Sequence, residues 1–179
     1  IKKIRRGIAQ FGQPFNEVLE KAPLPPEVAA VDGYHCIAEQ IISAGQQCTL
    51  EGYVFEGDVH VYGIIDSIRA GRHRSSFQRY QYPSQLPRRV QDRMIDAARR
   101  VITHAGYDNG PFNMEFFWSR ATDQLALLGV NARCSKSHSP LFVEVDGASH
   151  LQVMVNLGLG EAPAFPYRQG QSPMAAKFM

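Results

Sequence analysis

The stretch PFNMEFFWSRATDQLALLGVNARCSKSHSP, residues 111–140, decides the fold. Glu115 lies in a run that alternates like a β-strand, and a polar turn follows it. A second apolar strand then carries Asn131 and Arg133, which share a face because side chains two positions apart point the same way. Gly129 belongs to that face as well. The stretch therefore predicts a β-hairpin with a carboxylate, an amide and a guanidinium grouped on one side.

The Glu115, Asn131 and Arg133 side chains suit a magnesium-bound polyphosphate. Mg²⁺ prefers oxygen ligands and binds substrate phosphates, and an arginine neutralises the charge that develops on a transferring phosphoryl group. A carboxylate at position 129 would complete the oxygen ligands between the strands, but Gly129 has no side-chain oxygen. The alternative is that Glu115 and Arg133 form an ordinary cross-strand ion pair.

Composition indicates one compact domain, with a small appended lobe as the alternative, and argues against several classes of function. The chain has 179 residues, 44% of them hydrophobic, and a formal net charge of +2, so it can bury a core. Nearly balanced charge argues against a nucleic acid or a membrane as the partner. The three cysteines form no CxxC pair, which favours neither a zinc site nor a disulfide framework. We therefore expect a reduced, cytoplasmic setting.

The sequence shows no membrane span or secretion signal. No apolar run approaches the ~20 residues needed to cross a bilayer, and no signal-peptide pattern opens the chain. The first residue is Ile1 rather than Met, which suggests a processed, truncated or fragmentary chain.

The N-terminal region is predicted to hold short elements joined by an irregular connector. Residues 1–6, IKKIRR, alternate apolar and cationic side chains and predict a solvated strand or arm, with a phosphate-binding patch as the alternative. Residues 14–21 favour a brief helix, and the proline-rich residues 22–33 favour an irregular connector. The mostly apolar residues 34–42 are predicted to form a strand.

Strands and helices alternate in the remainder of the chain. Residues 48–68 predict a β-hairpin around a Glu-Gly-Asp turn, whereas residues 70–87 have no clear period and predict a loop. Residues 88–105 carry apolar side chains at helical spacing and predict an amphipathic helix. A second short helix is predicted at residues 150–157, before a loosely ordered tail at residues 164–179. These elements indicate an α+β fold with a mainly antiparallel sheet and packed helices.

Several motifs occur in the order found in one superfamily. FNMEFFW, a turn and LLGVNARCSKSHSPLF resemble the closing hairpin of the ATP-grasp superfamily, which includes carboxylate-amine ligases and biotin carboxylase. Upstream, CIAEQIISAGQQCTLEGYVFEGDVHVYGIIDS is similar to that superfamily's nucleotide-hinge strand and the paired strands after it. Downstream, VDGASHLQVMVNLGLGEAP is similar to the helix that follows the hairpin. The resemblance covers residues 31–163 and implies the C-terminal lobe of an ATP-grasp fold, with residues 1–30 a remnant of the preceding lobe and its connector.

The resemblance implies ATP and Mg²⁺ as cofactors. Glu115 and Asn131 would bind the metal, and Arg133 would stabilise the transferring phosphate. Arg79 matches the region where the family places a basic residue near the transferring phosphate or the acceptor substrate. The alternative for Arg79 is a solvated arginine in a loop.

A second set of residues would hold the adenine and the ribose of ATP. The hinge would provide backbone hydrogen bonds to the adenine edge, a polar side chain would reach the ribose, and two apolar side chains would sandwich the ring. In that order, the residues are Glu39, Gln40 and Ile42, then Gln47, then Phe117 and Leu128. The alternatives are exposed strand residues for the polar members and ordinary core for the apolar ones. The segment 135–138 is similar to the place where these enzymes hold the substrate carboxylate.

The resemblance also implies a ligase reaction. Mg-ATP would phosphorylate a small-molecule carboxylate, and an amine or similar nucleophile would displace phosphate from the acyl phosphate. Two departures predict little or no activity for the chain alone: Gly129 replaces the family's second acidic metal ligand, and no phosphate-clamping lysines or glycine-rich flap precede residue 31. The alternative function is a non-catalytic module that binds a nucleotide or a partner. Exposed sheet edges would also allow a homodimer.

Overall fold

An antiparallel sheet organises the second of two units in this computed structural model. The structure describes residues 2–21, 23–39, 42, 45–70 and 76–179, and its two compact units are Ile1–Ile42 and Ser43–Met179. The helices are α1 (Lys2–Leu19), α2 (Pro26–Ala29), α3 (Arg88–Ala105), α4 (Ser139–Asp146) and α5 (Leu151–Gly158). The strands are β1 (Gln46–Phe55), β2 (Asp58–Ala70), β3 (Ser76–Tyr82), β4 (Gly110–Trp118), β5 (Leu125–Asn131) and β6 (Ala175–Phe178).

The six described strands lie in the order β5-β4-β1-β2-β3-β6. Each of the pairings between them is antiparallel. Hairpins account for the β1–β2 and β4–β5 neighbours, as predicted from their turn residues. The structure therefore confirms the α+β fold with a mainly antiparallel sheet.

The first unit contains a helix where a strand or arm is predicted. Helix α1 covers Lys2–Leu19, so the strand prediction is wrong for residues 2–6, and the brief helix predicted at residues 14–21 overlaps the end of α1. Apolar side chains recur in α1 at the three- and four-residue spacing of a helix, which outweighs the short alternation at its start. These side chains are Ile4, Ile8, Phe11, Phe15 and Val18. No helix in the described part of the chain is long and apolar enough to cross a membrane.

The strand predicted at residues 34–42 is not formed by the residues described there. Residues 35–39 have no regular secondary structure, so the prediction is wrong for them. Side chains of α1 hold the preceding turn instead of a strand partner: Gly33 N donates to Asn16 Oδ1 at 2.6 Å, and Tyr34 Oη donates to Gln13 Oε1 at 3.0 Å.

Helix α3 packs on one face of the sheet and confirms the predicted amphipathic helix. Its buried residues Val90, Met94, Ala98 and Ile102 are four positions apart and therefore form one stripe. The stripe packs against buried apolar side chains of β1, β2 and β4. At the end of the helix Gly106 has a φ of 63°, a left-handed conformation that glycine adopts without strain.

Three elements differ from the predictions for the rest of the sheet unit. Strand β3 lies within residues 70–87, for which a loop is predicted. Its side chains are partly buried on both faces, so the sequence there shows no simple apolar period that would indicate a strand. Helix α4 was not predicted, and it buries apolar side chains against β2 and β3. The tail expected to be loosely ordered contains β6, which pairs with β3. Gly170 N also ties this tail to α4 by donating to Val145 O at 3.0 Å.

Candidate functional site

The predicted metal positions share one face of the sheet. In the β4–β5 ladder Glu115 lies opposite Gly129, and Asn113 lies opposite Asn131. Directly opposite residues of an antiparallel pair point to the same face. The neighbouring residue Met114 belongs to the core against α3, so the metal positions lie on the other face. The structure thus brings Glu115, position 129 and Asn131 together.

Glu115 is held by hydrogen bonds that cross three strands. Gln47 Nε2 donates to Glu115 Oε2 at 3.0 Å, and Arg69 Nε donates to Gln47 Oε1 at 2.9 Å. The amide of Gln47 is thereby oriented with its nitrogen toward the carboxylate and its oxygen toward the cation. In this structure Gln47 supports Glu115, and its predicted contact with a ribose stays a prediction.

A polar cavity of about 200 Å³ lies beside these residues. It is smaller than the roughly 300–1,000 Å³ of pockets that enclose drug-sized ligands, so it fits one charged group such as a phosphate or a carboxylate. The residues that line it are Gln47, Thr49, Ser67, Arg69, Phe77, Tyr80, Asn113, Glu115, Arg133, Ser135 and His138. Two arginines and one partly exposed carboxylate give this surface a positive balance that favours an anion.

Asn113 connects the row of metal positions to Arg133. Asn131 Nδ2 donates to Asn113 Oδ1 at 2.9 Å, and Asn113 Nδ2 donates to the Arg133 carbonyl oxygen at 2.9 Å. Because the amide nitrogen of Asn131 is used in this way, its oxygen is the end that can act as a ligand. The Arg133 side chain is exposed at the cavity.

Glu51 is a fully buried carboxylate beside the cavity that the sequence reasoning missed. Its oxygens accept from Ser135 N at 3.2 and 3.3 Å, and Oε1 lies 2.7 Å from His138 Nδ1. When Glu51 is ionised its oxygens only accept, and the imidazole Nδ1–H is then the donor. Burial raises the pKa of Glu51, and the hydrogen bond from His138 opposes that rise. Polar side chains at Gln47, Thr49 and Glu51 recur at every second position, and this alternation was the available signal.

Lys177 is a further residue that the sequence reasoning missed. Strand β6 places it opposite Tyr80 of the cavity. Lys177 Nζ donates to the Ser137 carbonyl oxygen at 3.5 Å. The sequence offered no signal for this position, because the pairing of β3 with β6 joins segments far apart in the chain.

The described residues that are predicted to hold the nucleotide belong to both units of the chain. Glu39 and Ile42 belong to the first unit, and Gln40 lies outside the described residues. Phe117 is on the cavity face of β4, where it pairs with a residue of β1. Leu128 is the extra residue at the bulge in the β4–β5 ladder, and it is 42% exposed.

Arg79 lies on the face of β3 away from the cavity. Successive strand residues alternate between faces, and its neighbour Tyr80 lines the cavity. The Arg79 guanidinium donates to the side chains of Gln78 and Gln81 at 3.2 and 3.4 Å, and it lies 5.9 Å from the centre of the Phe178 ring. Tyr80 occupies the cavity side of the strand, and the predicted place of Arg79 beside the transferring phosphate stays a prediction that this cavity does not support.

The donor atoms at the cavity fit a nucleotide-bound Mg²⁺ better than a metal held by protein alone. No cluster of three or more His, Cys, Asp or Glu among the described side chains could hold a metal ion. Mg²⁺ is commonly bound through one or two carboxylates while phosphates and waters fill the remaining positions. Glu115 and the oxygen of Asn131 match that pattern. A Cβ atom at Gly129 would meet nothing within 4 Å among the described atoms, so a second carboxylate would find open space.

Comparisons with known proteins agree with this architecture. Residues 59–163, more than half of the chain, match the family described as "Carbamoyl-phosphate synthase L chain, ATP binding domain". No curated protein matches the sequence.

Solved structures share the fold. Biotin carboxylase from Campylobacter jejuni has a TM-score of 0.58 at 19% identity, over 76% of this chain and 29% of that chain. The biotin carboxylase domain of the Hydrogenobacter thermophilus 2-oxoglutarate carboxylase has a TM-score of 0.58 at 18% identity, over 72% and 28%. An L-amino acid ligase from Bacillus licheniformis has a TM-score of 0.55 at 19% identity, over 65% and 30%.

The chain spans less than a third of the length of these three structures. The family match nevertheless covers the β2–β3 region, helix α3, the β4–β5 hairpin and the helices after it. The chain therefore belongs to the family of carbamoyl-phosphate synthase L chain ATP-binding domains, within the ATP-grasp superfamily.

Proposed function

We propose that this chain provides the ATP-binding lobe of an ATP-grasp ligase, which activates a small carboxylate as an acyl phosphate for attack by an amine or similar nucleophile. The observation that carries the proposal is the polar cavity, where Glu115 is fixed by Gln47 and lies near Arg133. A carboxylate beside guanidinium groups suits a phosphate accompanied by Mg²⁺. The family match to an ATP-binding domain supports the same conclusion.

The residues of the cavity would act through charge and position. Glu115 and the Asn131 oxygen would hold Mg²⁺, which supplies positive charge to phosphate oxygens when bound. Arg133 would attract the transferring phosphoryl group and stabilise the charge that develops on it. A carboxylate oxygen of the substrate takes that group as ADP leaves, and the amine then displaces phosphate and loses a proton.

The activity of this chain by itself is proposed to be weak or absent. Gly129 lies opposite Glu115 in the β4–β5 ladder. Glu115 would therefore be the one carboxylate of this residue pair that offsets the charge of the metal. Magnesium affinity should fall for that reason. We also propose that the full reaction needs other segments, because the chain corresponds to less than a third of each similar structure described above.

Glu115→Gln tests the proposed metal role through ATP binding by the whole chain. With saturating Mg²⁺, calorimetry should show the Kd for ATP raised about tenfold or more, because contacts to charged groups contribute roughly 1.5–3 kcal/mol. In EDTA the variant should bind no more weakly than the unaltered chain, since the lost carboxylate no longer has a cation to hold. Glu144→Gln, at an exposed position of α4, is the matched control. A loss of affinity that persists in EDTA would contradict the metal role.

A second candidate function is a non-catalytic module that binds a nucleotide or a partner protein. The glycine at position 129 favours this candidate, because it removes a potential metal ligand without disturbing the ladder. Such a module would bind ATP with the same affinity in Mg²⁺ and in EDTA. That result, together with no effect of Glu115→Gln, would exclude the ligase function in favour of the module.

A further inference from the structure

The segment Arg133–His138, which joins β5 to the helix α4, is held against the sheet by side chains. Strand β5 ends at Asn131, so this segment lies outside the β4–β5 ladder. Asn113 Nδ2 donates to the Arg133 carbonyl oxygen at 2.9 Å. The carboxylate of Glu51 accepts from Ser135 N at 3.2 Å. Two sheet residues thereby fix the backbone on both sides of residue 134.

Glu51 also holds the far end of the same segment. Its Oε1 lies 2.7 Å from His138 Nδ1, and the relative exposures of the two side chains are 0% and 2%. The strand register places Glu51 opposite Asn113 on the cavity face. Glu51 and Asn113, which lie opposite each other in the sheet, therefore anchor the segment at Arg133, Ser135 and His138.

This buried pair is a costly way to stabilise a core. Removing a carboxylate and an imidazole from water carries a penalty, and apolar side chains of similar volume commonly give equal or greater stability. Burial accordingly raises the pKa of Glu51, while His138, the Ser135 N–H and the charge of Arg133 lower it. The pair is directional, however, and a directional contact can fix the position of a loop in a way that apolar packing cannot.

We propose that Glu51, Asn113 and His138 are positioning residues that fix Arg133 at the cavity so that its guanidinium meets the phosphate of the bound nucleotide. The inference rests on the proposed function, since Arg133 is the group through which these residues act. Glu51 is fully buried and does not line the cavity, so it acts on the ligand only through this segment, whereas His138 touches the cavity wall with 2% of its side chain exposed. A purely structural role predicts a loss of stability alone, whereas positioning predicts that their effect on binding disappears when Arg133 is absent.

A double-mutant cycle separates these two roles. Glu51→Gln keeps the side-chain size, but it leaves one acceptor oxygen for the two donors, Ser135 N–H and His138 Nδ1–H. In the unaltered chain this variant should weaken Mg-ATP binding about tenfold. In an Arg133→Ala background it should weaken binding by less than about twofold, because coupled residues are not additive. An equal loss in both backgrounds would overturn the positioning role.

Asp66→Asn provides a control with matched burial. Asp66 is a carboxylate at 1% exposure whose pKa is also raised by burial. Its oxygens accept from Ser84 and from the Gln85 N–H, and its neighbour across the ladder, Cys48, belongs to the core against α3. This variant should lower the melting temperature while leaving the Kd for Mg-ATP within about twofold of the unaltered value. A tenfold loss of binding here would show that any buried-carboxylate lesion disturbs the cavity.

A second readout is independent of ATP binding. Amide hydrogen exchange and backbone NMR shifts should show that Glu51→Gln loses protection at Ser135 and shifts the Arg133 signals, whereas Asp66→Asn does neither. If the unaltered chain binds no ATP, the proposed function fails and this readout alone decides the positioning inference. Unchanged Arg133 and Ser135 signals would refute it. If Glu51→Gln does not fold, Asn113→Ala replaces it in the NMR readout alone, where shifted Arg133 signals are expected; its binding effect is not used, because Asn113 also holds Asn131.

Discussion

Gly129 lies opposite Glu115 on the cavity face, with open space where a side chain would begin. Its backbone lies outside the left-handed region. A side chain at this position therefore meets neither a steric nor a conformational obstacle. The local structure would accept a carboxylate pointing toward the same region as Glu115.

Gly129→Glu is expected to tighten magnesium-dependent ATP binding by about tenfold, because a second carboxylate adds a charged ligand to the cation. Calorimetry in Mg²⁺ and in EDTA measures the effect. Gly158→Glu is the matched control, since its Cβ would also meet nothing within 4 Å and it lies at the end of α5. Weaker binding in Mg²⁺, or the same change in EDTA, would contradict a metal position at residue 129.

Local spacing explains which cavity residues the sequence could predict. Glu115, Asn131 and position 129 belong to one hairpin, so a period of two places them on a common face. Glu51 and His138 meet only because β1 pairs with β4 and the chain then returns after β5. Their 87-residue separation leaves no short-range pattern, and a buried pair of this kind can be recognised only in three dimensions.

Strand β5 lies at the edge of the sheet formed by the described residues, and its apolar side chains are exposed. It lies at one end of the strand order, and Leu127 and Val130 are 41% and 46% exposed. The strand LALLGVN contains no charged residue and no proline, the features that commonly prevent strands of different molecules from pairing. We expect this edge to pair between copies of the chain, which would form a homodimer.

Leu127→Lys should shift such an equilibrium toward monomer, because a buried ammonium would have to be desolvated at the paired edge. Light scattering across a range of protein concentrations measures the mass. Val143→Lys is the control, at a similarly exposed apolar position on the helix α4. A concentration-independent monomer for the unaltered chain would refute edge pairing.

Element boundaries were predictable where one face is buried and the other is solvated. Helix α3 satisfies this condition, and its bounds match the predicted residues 88–105. Strand β3 does not, because both of its faces are partly covered. For α1, the first six residues read as an alternating strand, whereas the full length of the helix reveals the longer period. The strand prediction was wrong because six residues are too few to show the helical period, and not because of their propensities.

The stability of the sheet unit should depend on pH through His150. This residue is fully buried, and burial lowers its pKa from 6.5 to about 4, assisted by the charge of His138. Between these values the unfolded chain takes up a proton that the folded chain does not. The contribution of neutral His150 to the free energy of unfolding is therefore fully present above pH 6.5, and it is lost as the pH falls toward 4. The raised pKa values of Glu51 and Asp66 act in the opposite direction.

His150→Leu isolates this contribution, because the opposing carboxylates are common to both proteins. Relative to the variant, the unaltered chain should lose about 3 kcal/mol of unfolding free energy as the pH falls from 6.5 to 4. Urea unfolding at a series of pH values measures the difference. His104→Leu, at an exposed position of α3, should retain the slope of the unaltered chain. Parallel pH profiles for the unaltered chain and His150→Leu would disprove the assignment.

The position of β6 has a consequence for the order of folding. Strands β1, β2 and β3 are neighbours in the chain, as are β4 and β5, so their pairings close short loops. Strand β6 pairs with β3 only after α3, the β4–β5 hairpin, α4 and α5 have intervened, and long loops close more slowly. Because β6 pairs beside Tyr80, which lines the cavity, we expect this side of the cavity to be fixed last, after the other strands have paired.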